Sequence, residues 1–317
     1  MAVSESSDFF RTFTAKGVKQ YGEDKKIAGK NQKTAYLFIL PSMIVLTVFV
    51  FVPLVSAFVI SMMNMDLYMK DITFAGIGNY LKMFQDARVL NATKNTLIFT
   101  VMEVPVQILV ALVLTMFMQK NTKLHKFLRA SFYIPYVCSM TAISILWSML
   151  LNSNSGMLAY LLKKIGIVMP NLMSDPTYAM AVIIMVTVWR NFGYTLTIIT
   201  AATLDIPYSL YEAADLDGAT GLKKFLYITI PSIKQTIGFC AVTTFILAFQ
   251  AFDQIYVMTG GGPQHKTETL VSYIYDRGFK TEHDLGYASA ISVYLFIIIA
   301  IITVCMRKYI SRREEQA

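Results

Sequence analysis

The sequence predicts an all-α membrane protein with six transmembrane helices, and three observations support this class. Residues of the AVILMFWYC group make up 55% of the 317 residues and charged residues only 15%, against about 25% charged in ordinary soluble domains. Six apolar windows are each long enough to cross a hydrocarbon core that needs about 20 helical residues. None of them shows the sustained alternation of apolar and polar residues that is typical of barrel strands.

The six windows divide the chain into spans, loops and two tails. The first window follows a polar tail, 1–34, and exceeds the roughly 7–15 residues of a signal-peptide core. A loop over 64–95 separates it from a five-helix core, 96–306, which is followed by a tail, 307–317. Within the core, a loop over 205–235 joins the fourth and fifth windows. The windows are 35–63, 96–118, 130–151, 178–204, 236–258 and 287–306.

Lys and Arg are distributed unequally between two sets of loops. The two tails, 119–129 and 205–235 together carry 18 basic residues in 87 positions, whereas the other three loops carry 9 in 86. Because basic loops are retained on the cytoplasmic side, the excess predicts that both termini are cytoplasmic and that 64–95 is extracytoplasmic. The net charge of +8 then needs no nucleic-acid partner to explain it.

The sequence carries no motif for catalysis or for nucleotide hydrolysis. It lacks the G-x-x-x-x-G-K-[ST] phosphate loop, the H-E-x-x-H zinc motif and the G-x-S-x-G nucleophile motif. We therefore expect no catalytic residue, no cofactor and no metal site. Uphill movement of a solute would need energy from another subunit or from an ion gradient.

The loop between the fourth and fifth windows predicts two short helices joined by a sharp turn. Pro207 suits a first helical turn, and helix-forming residues follow to about Asp217. Gly218 can adopt the left-handed conformation that ends a helix. A second helix is predicted to begin near Thr220 and to stop before Pro231. The alternative is an amphipathic loop at the lipid headgroups, whose charged residues are only solvated.

The residues of this loop resemble a known sequence pattern. Glu212-Ala213-Ala214, then Gly218, then Ile228 and Pro231 are spaced as in the EAA loop of permease subunits in binding-protein-dependent ABC importers; Ile230 replaces the leucine usual before the proline. The resemblance implies the type I ABC importer permease fold, in which this loop forms coupling helices that dock into a cleft of the ATPase subunit. It assigns ATPase coupling to Glu212, Ala213, Ala214, Asp217 and Gly218.

Two outer segments indicate to which branch of this family the chain is similar. Residues 252–263, which end in Gly-Gly-Gly-Pro, and 286–292 look like the carbohydrate-uptake branch, similar to the first permease subunit of maltose and glycerol-phosphate systems. The resemblance covers roughly residues 30–306. It implies a second homologous permease subunit, two ATP-binding subunits and an extracytoplasmic solute-binding protein as partners, with a sugar or oligosaccharide as solute.

Three charged residues lie inside the windows: Glu103, Arg190 and Asp253. Charged groups at membrane depth usually face a bundle interior or a water-filled path; alternatively, Arg190 forms a structural ion pair with Glu103 or Asp253. The resemblance implies a solute path on the fourth and fifth spans. Its assigned residues are Arg190, Asn191, Tyr194, Thr244, Ala248 and Gln250. Aromatic side chains that could cover the sugar ring are Trp189, Phe192, Phe249 and Phe252.

Two other classes of function stay open at this point. An ion-coupled secondary transporter or channel would also use buried charges, but such proteins often show inverted repeats, and we find no convincing repeat. An intramembrane enzyme would need facing acid–base or metal-ligand pairs, which three isolated charges do not supply. The favoured interpretation is a non-catalytic permease subunit of a bacterial cytoplasmic membrane, driven by separate ATPase subunits.

Overall fold

The computed structural model describes residues 36–70, 72–118 and 122–314, with side chains as far as residue 310. The polar tail predicted for 1–34 and residue Ala35 lie outside the described residues. The chain divides into two units, Met1–Val59 and Ile60–Ala317. The described part of the first unit is helical and belongs to helix α1, Tyr36–Ser61, which contains a π-helical turn at Thr47–Phe51.

The described part of the second unit is mainly helical. It also contains a two-stranded antiparallel sheet of β1, Met63–Asn64, and β2, Thr73–Phe74. The helices are α2 Gly78–Gln85, α3 Ala87–Phe117, α4 Lys123–Val137, α5 Met140–Leu150, α6 Met157–Lys164, α7 Ala179–Leu204, α8 Tyr208–Leu216, α9 Gly221–Ser232, α10 Lys234–Phe249, α11 Asp253–Met258, α12 Leu270–Tyr275 and α13 Leu285–Glu314.

Four helices of the described chain are long and apolar enough to cross a membrane, namely α1, α3, α7 and α13. Two bent pairs meet the same criteria when each pair is taken together: α4 with α5, bent by 94°, and α9 with α10, bent by 70°. The chain is therefore a helical membrane protein with four to six candidate spans, and the number six requires each bent pair to count as one span.

The third and fifth windows are not the continuous helices that hydropathy predicts. Within 130–151 the chain breaks at Cys138 and Ser139, where the backbone is extended with ψ of 148° and 131°. Within 236–258, α10 ends at Phe249 and a separate helix begins at Asp253. The length of an apolar segment indicates that the segment can cross the membrane, but it does not indicate where the helix axis bends.

Helix α3 begins at Ala87, so it extends into the predicted loop 64–95. Asp86 caps this helix by accepting a hydrogen bond of 2.8 Å from the backbone N–H of Arg88, the usual role of Asp at an N-cap. The cap and the first polar turns lie before the apolar stretch that defined window 96–118. For the fourth window the prediction agrees closely, because α7 covers Ala179–Leu204.

Helix α9 runs through Pro231 to Ser232, so the prediction that it stops before this proline is wrong. A π-helical turn, Phe225–Thr229, precedes the proline, and the N–H of Ile230 bonds to the carbonyl of Phe225. This wider turn changes the hydrogen-bond register just before Pro231, which has no N–H to contribute.

Three apolar clusters hold the second unit together, and α3 contributes to each of them. Phe99 belongs to a cluster with Ile183 and Ile255, and Val89 to one with Tyr287. The third cluster, around Leu196 and Ile199, includes Ala111 and Cys240. Helix α3 is therefore shared by all three clusters, and its main packing partners are α7 and α10. The clusters' largest fully buried side chains include Phe99, Ile183, Leu196, Ile199, Phe249, Ile255, Tyr273 and Tyr287.

Helices α4 and α7 approach each other closely at Gly193. A Cβ atom built at this position would lie 1.9 Å from the carbonyl oxygen of Phe132 and 3.1 Å from the Cα of Tyr133. Only glycine fits this contact, because both neighbours are backbone atoms that cannot rotate away. The contact at Gly193 was not predicted, because a glycine inside an apolar helix gives no local indication of the residues that it contacts.

Candidate translocation path and coupling elbow

Helices α8 and α9 form the bent loop between α7 and α10, called here the coupling elbow (208–232). Gly218 lies at its corner with φ of +69°, the left-handed conformation predicted for it. Its N–H bonds to the Asp215 carbonyl at 3.1 Å, and the N–H of Ala219 bonds to the Ala214 carbonyl at 2.9 Å. These bonds satisfy carbonyls that the end of α8 would otherwise leave unpaired.

Two polar contacts fasten the arms of the coupling elbow to each other. The hydroxyls of Tyr211 on α8 and Thr229 on α9 are 2.8 Å apart. Lys224 forms an ion pair with Asp215. Ala214 on α8 and Phe225 on α9 are both buried. We conclude that its two helices form one structural element.

The outer surface of the coupling elbow presents four of the five residues assigned to ATPase coupling. Glu212, Ala213, Asp217 and Gly218 are exposed, whereas Ala214 is buried. Large apolar side chains accompany them, above all Leu216, which is 91% exposed. Exposed apolar residues rimmed by charged ones are typical of a protein–protein contact. The other exposed large apolar residues of the elbow are Tyr208, Leu210, Leu222, Leu226 and Tyr227.

Arg190 on α7 binds the backbone at the break between α4 and α5. Its Nη2 donates to the carbonyls of Tyr136 and Cys138, both at 3.0 Å, and its Nη1 donates to Oδ1 of Asn191 at 2.8 Å. Among the described residues no ion pair joins Arg190 to Glu103 or Asp253. The structural ion pair considered from sequence is therefore not formed.

The other two charged residues have very different surroundings. Glu103 is 1% exposed; its Oε1 accepts a long bond of 3.5 Å from Asn191, and its Oε2 has no hydrogen-bond partner. Asp253 is exposed in the first turn of α11. Asn191 therefore links the guanidinium of Arg190 to a buried carboxyl group of α3, and Asp253 lies outside this network.

Tyr194 stacks on Tyr136, a residue that sequence analysis missed. The two ring centroids are 4.7 Å apart with an interplanar angle of 17°, and the guanidinium carbon of Arg190 lies 5.2 Å from the Tyr136 centroid. The available sequence signal was the Tyr133–Tyr136 spacing of three residues, which places both rings on one helix face. That spacing is equally common in packing interfaces, so it did not single out Tyr136.

The remaining predicted path residues lie on or just after α10. Thr244 and Ala248 are buried and Gln250 is exposed. Gln107 of α3 donates to the hydroxyl of Thr195 at 2.8 Å and, more weakly, to that of Thr244 at 3.4 Å. Of this buried polar row on α3, only Glu103 was noted from sequence, although polar residues three or four apart in an apolar window indicate such a row. The row contains Asn95, Thr96, Thr100, Glu103, Gln107 and Thr115.

Two of the four aromatic residues considered for sugar contact are core residues instead. Phe192 and Phe249 are buried in apolar clusters. Trp189 packs edge-on against Trp147 at 5.5 Å, and Phe252 stacks on Tyr256. The aromatic ring in contact with the Arg190 guanidinium is Tyr136, on which Tyr194 stacks.

A charge network, called here the outer clasp, joins the start of α3 to residues 268–276. Arg88 donates to both carboxylate oxygens of Glu268, at 3.0 and 2.7 Å, and to Asp276 at 3.0 Å. Beside it, Asp86 accepts hydrogen bonds from the hydroxyls of Tyr273 and Tyr287 at 2.7 and 2.8 Å. Bidentate guanidinium–carboxylate pairs fix geometry as well as charge.

Ionisation of Asp86 stabilises the fold. Burial by itself raises the pKa of this carboxyl, but hydrogen bonds from Tyr273, Tyr287 and the Arg88 N–H outweigh burial, so the pKa lies below its ordinary value of 3.8. A depressed pKa means that the stabilisation is fully present above 3.8 and is lost as the pH falls through the folded-state pKa.

We expect Asp86→Asn to lower the free energy of unfolding by about 1–3 kcal/mol near neutral pH, because the charge-assisted bonds are weakened. This difference from the wild type should shrink as the pH falls from about 5 towards about 2, because the wild-type carboxyl is progressively protonated once the pH passes 3.8 and approaches its lower folded-state pKa. Thermal unfolding of both proteins across that range measures the effect. A difference that stays constant over the whole range would contradict the assigned role of Asp86.

A protein family and several known relatives match most of this chain. Residues 88–316 match the family described as binding-protein-dependent transport system inner membrane component. The chain is 31% identical to the probable ABC transporter permease protein YurN of Bacillus subtilis, over 92% of this chain and 100% of that protein. It is 32% identical to the sn-glycerol-3-phosphate transport system permease protein UgpA of Agrobacterium fabrum, over 89% and 96%.

Two further similarities extend the comparison. The lactose transport system permease protein LacF of Rhizobium radiobacter is 33% identical over 84% of this chain and 91% of that protein. A solved bacterial alginate ABC transporter, in complex with an alginate pentasaccharide-bound periplasmic protein, contains a chain of the same fold. The TM-score is 0.78 at 21% identity, over 90% of this chain and 96% of that one.

These matches define a class of transport subunit, and the chain belongs to the binding-protein-dependent transport system inner membrane component family. It is a multi-pass permease subunit of a binding-protein-dependent ABC importer. The resemblance on which the sequence interpretation rested, from the spacing around Glu212 and Gly218, is confirmed.

Proposed function

We propose that this permease forms half of a translocation path for a sugar or oligosaccharide. Relatives named for lactose and for sn-glycerol 3-phosphate transport support this class of solute. The half-exposed tyrosine pair beside Arg190 supports it too, because flat aromatic faces suit the C–H face of a sugar ring. Arg190, Asn191, Tyr194, Thr244, Ala248 and Gln250 belong to the proposed path. A second homologous permease would supply the other half.

The energy for transport comes from two separate ATP-binding subunits, and this chain itself is non-catalytic. The observation that carries the proposal is the coupling elbow: a bent, internally fastened element that exposes Glu212 and Leu216. The elbow faces the cytoplasm in the orientation indicated by the basic loops, with both termini on the same side. The outer loops then meet an extracytoplasmic solute-binding protein, and the membrane is the bacterial cytoplasmic membrane.

Reconstitution of the assembled complex tests this function. We expect the purified permease pair to retain two ATP-binding subunits, and proteoliposomes to accumulate sugar only when ATP and the loaded binding protein are both present. Accumulation without nucleotide, driven by a sodium or proton gradient, would overturn the proposal in favour of an ion-coupled transporter. A binding protein that takes no sugar in a ligand screen would overturn the solute class alone.

A further inference from the structure

The break between α4 and α5 is held by a side chain from a third helix. The chain turns by 94° at Cys138 and Ser139, and the end of α4 leaves backbone carbonyls without helical donors. Arg190 of α7 supplies those donors. Its Nη2 bonds to the carbonyls of Tyr136 and Cys138, and its Nε bonds to the Cys138 carbonyl at 3.3 Å.

The charge and position of Arg190 suit this task. The carboxyl end of a helix carries partial negative charge, so a cation at that end is favourable. Water is scarce at membrane depth, and unpaired carbonyls are correspondingly costly there. All four hydrogen bonds that Arg190 donates end on neutral oxygens: three go to the two carbonyls of Tyr136 and Cys138, and one goes to Asn191. Its donors are thus largely taken by protein.

The same side chain holds Tyr136 in place. The guanidinium lies over one face of the Tyr136 ring at 5.2 Å, and Tyr194 stacks on Tyr136 at 4.7 Å. Beside them, Tyr133 and Tyr194 line an open groove of about 390 Å³ that continues to Lys126, on the predicted cytoplasmic side. The groove gives a solute access to Tyr133 and to Tyr194, whose ring is supported from behind by Tyr136.

We infer that Arg190 and Tyr136 are positioning residues for transport, which act through Tyr194 of the proposed path. By capping the break between α4 and α5, Arg190 keeps Tyr136 stacked behind Tyr194, and Tyr194 with Tyr133 then forms an aromatic wall of the groove for a pyranose ring. The identity of the solute in this inference rests on the proposed function, whereas the capping of the break by Arg190 does not. Arg190 thus acts through Tyr136.

A distance measurement tests the cap without any solute. Spin labels at Phe127→Cys and Met149→Cys, in a background without the native cysteines, sit at positions 68% and 70% exposed on either side of the break. At 1.5 Å per residue each arm is about 16 Å long. The 94° turn then gives a separation of about 22 Å, and a straightened helix about 33 Å.

We expect Arg190→Met to shift a substantial part of the distance distribution towards the longer value in the assembled transporter. Arg190→Lys should keep the short distance, because an ammonium group still donates to carbonyls. Arg129→Met is the matched control: Arg129 lies on α4 and, among the described residues, donates a hydrogen bond only to the His125 carbonyl of its own helix, so the short distance should persist. An unchanged distribution of spin-label distances in Arg190→Met would overturn the capping role of Arg190.

Transport by Tyr136 variants tests the aromatic wall. The probes are radiolabelled maltose, lactose and sn-glycerol 3-phosphate, with the cognate binding protein and ATP. Tyr136→Leu should lower uptake about three- to tenfold without changing the amount of bound ATPase, and Tyr136→Phe should transport normally. Wild-type uptake in Tyr136→Leu would overturn the assignment. If the wild type takes up none of the three solutes, the proposed solute class fails, while the distance measurement still decides the cap.

Discussion

Replacing Gly218 with valine should abolish ATP-driven uptake and leave the protein in the membrane. Gly218 holds φ at +69°, a conformation that costs an L-residue about 1–2 kcal/mol and is least accessible to β-branched side chains. No atom lies within 4 Å of a Cβ built there, so the effect arises from backbone conformation and not from a clash. The bonds that end α8 would be lost, and the arms of the coupling elbow would separate.

The measurement is co-purification of the ATP-binding subunits together with uptake in proteoliposomes. We expect at least a tenfold loss of both in Gly218→Val, with unchanged membrane expression. Gly218→Asn is the matched control, because asparagine tolerates the left-handed conformation; this variant should retain most of the activity. Equal activity in the valine and asparagine variants would show that the turn at Gly218 is not required for coupling.

Replacing Gly193 with alanine should produce the largest loss of stability. The added methyl group would lie 1.9 Å from the Phe132 carbonyl oxygen, less than ordinary van der Waals contact. Overpacking against side chains usually costs about 1–3 kcal/mol. Here the neighbour is backbone, so α4 and α7 must move apart as whole helices, and we expect a cost of about 3 kcal/mol or more.

Thermal unfolding of the detergent-solubilised complex measures this cost. Gly221→Ala is a suitable control, because it adds the same methyl group where no atom lies within 4 Å and φ is negative. It should leave the unfolding temperature unchanged or raise it slightly. If Gly193→Ala unfolds like the wild type, the two helices do not touch at this point in the membrane, and the geometry around Arg190 would need revision.

Sequence predicted the coupling elbow more closely than the path, for a physical reason. The corner at Gly218 depends on local chemistry: a residue that tolerates positive φ, helix formers before it and a capping threonine after it. Such information is contained in neighbouring residues. The continuation of α9 through Pro231 escaped prediction because a π-helical turn depends on packing and leaves no local pattern.

The path residues depend on contacts between distant segments. Tyr136 and Arg190 are 54 positions apart, and their contact exists only because Gly193 lets α4 reach α7. The hydropathy pattern identified Arg190 as a charged residue at membrane depth but did not indicate its hydrogen-bond acceptors. The partner is the backbone of a broken helix, and the break itself has no hydropathic signature. Glu103 and Gln107 were equally invisible as neighbours of Asn191 and Thr195.

The burial of the outer clasp has a consequence for the surroundings in which the transporter works. The Glu268 side chain is only 4% exposed, and salt screens an enclosed ion pair far less than charges in open water. The shape of the outer loop should therefore be insensitive to the salinity of the medium. Under our proposal, solvent-exposed charges would guide the binding protein to this loop, and salt screens such charges much more strongly. We therefore expect high salt to slow the association of the binding protein with the permease without changing the conformation of the outer loop.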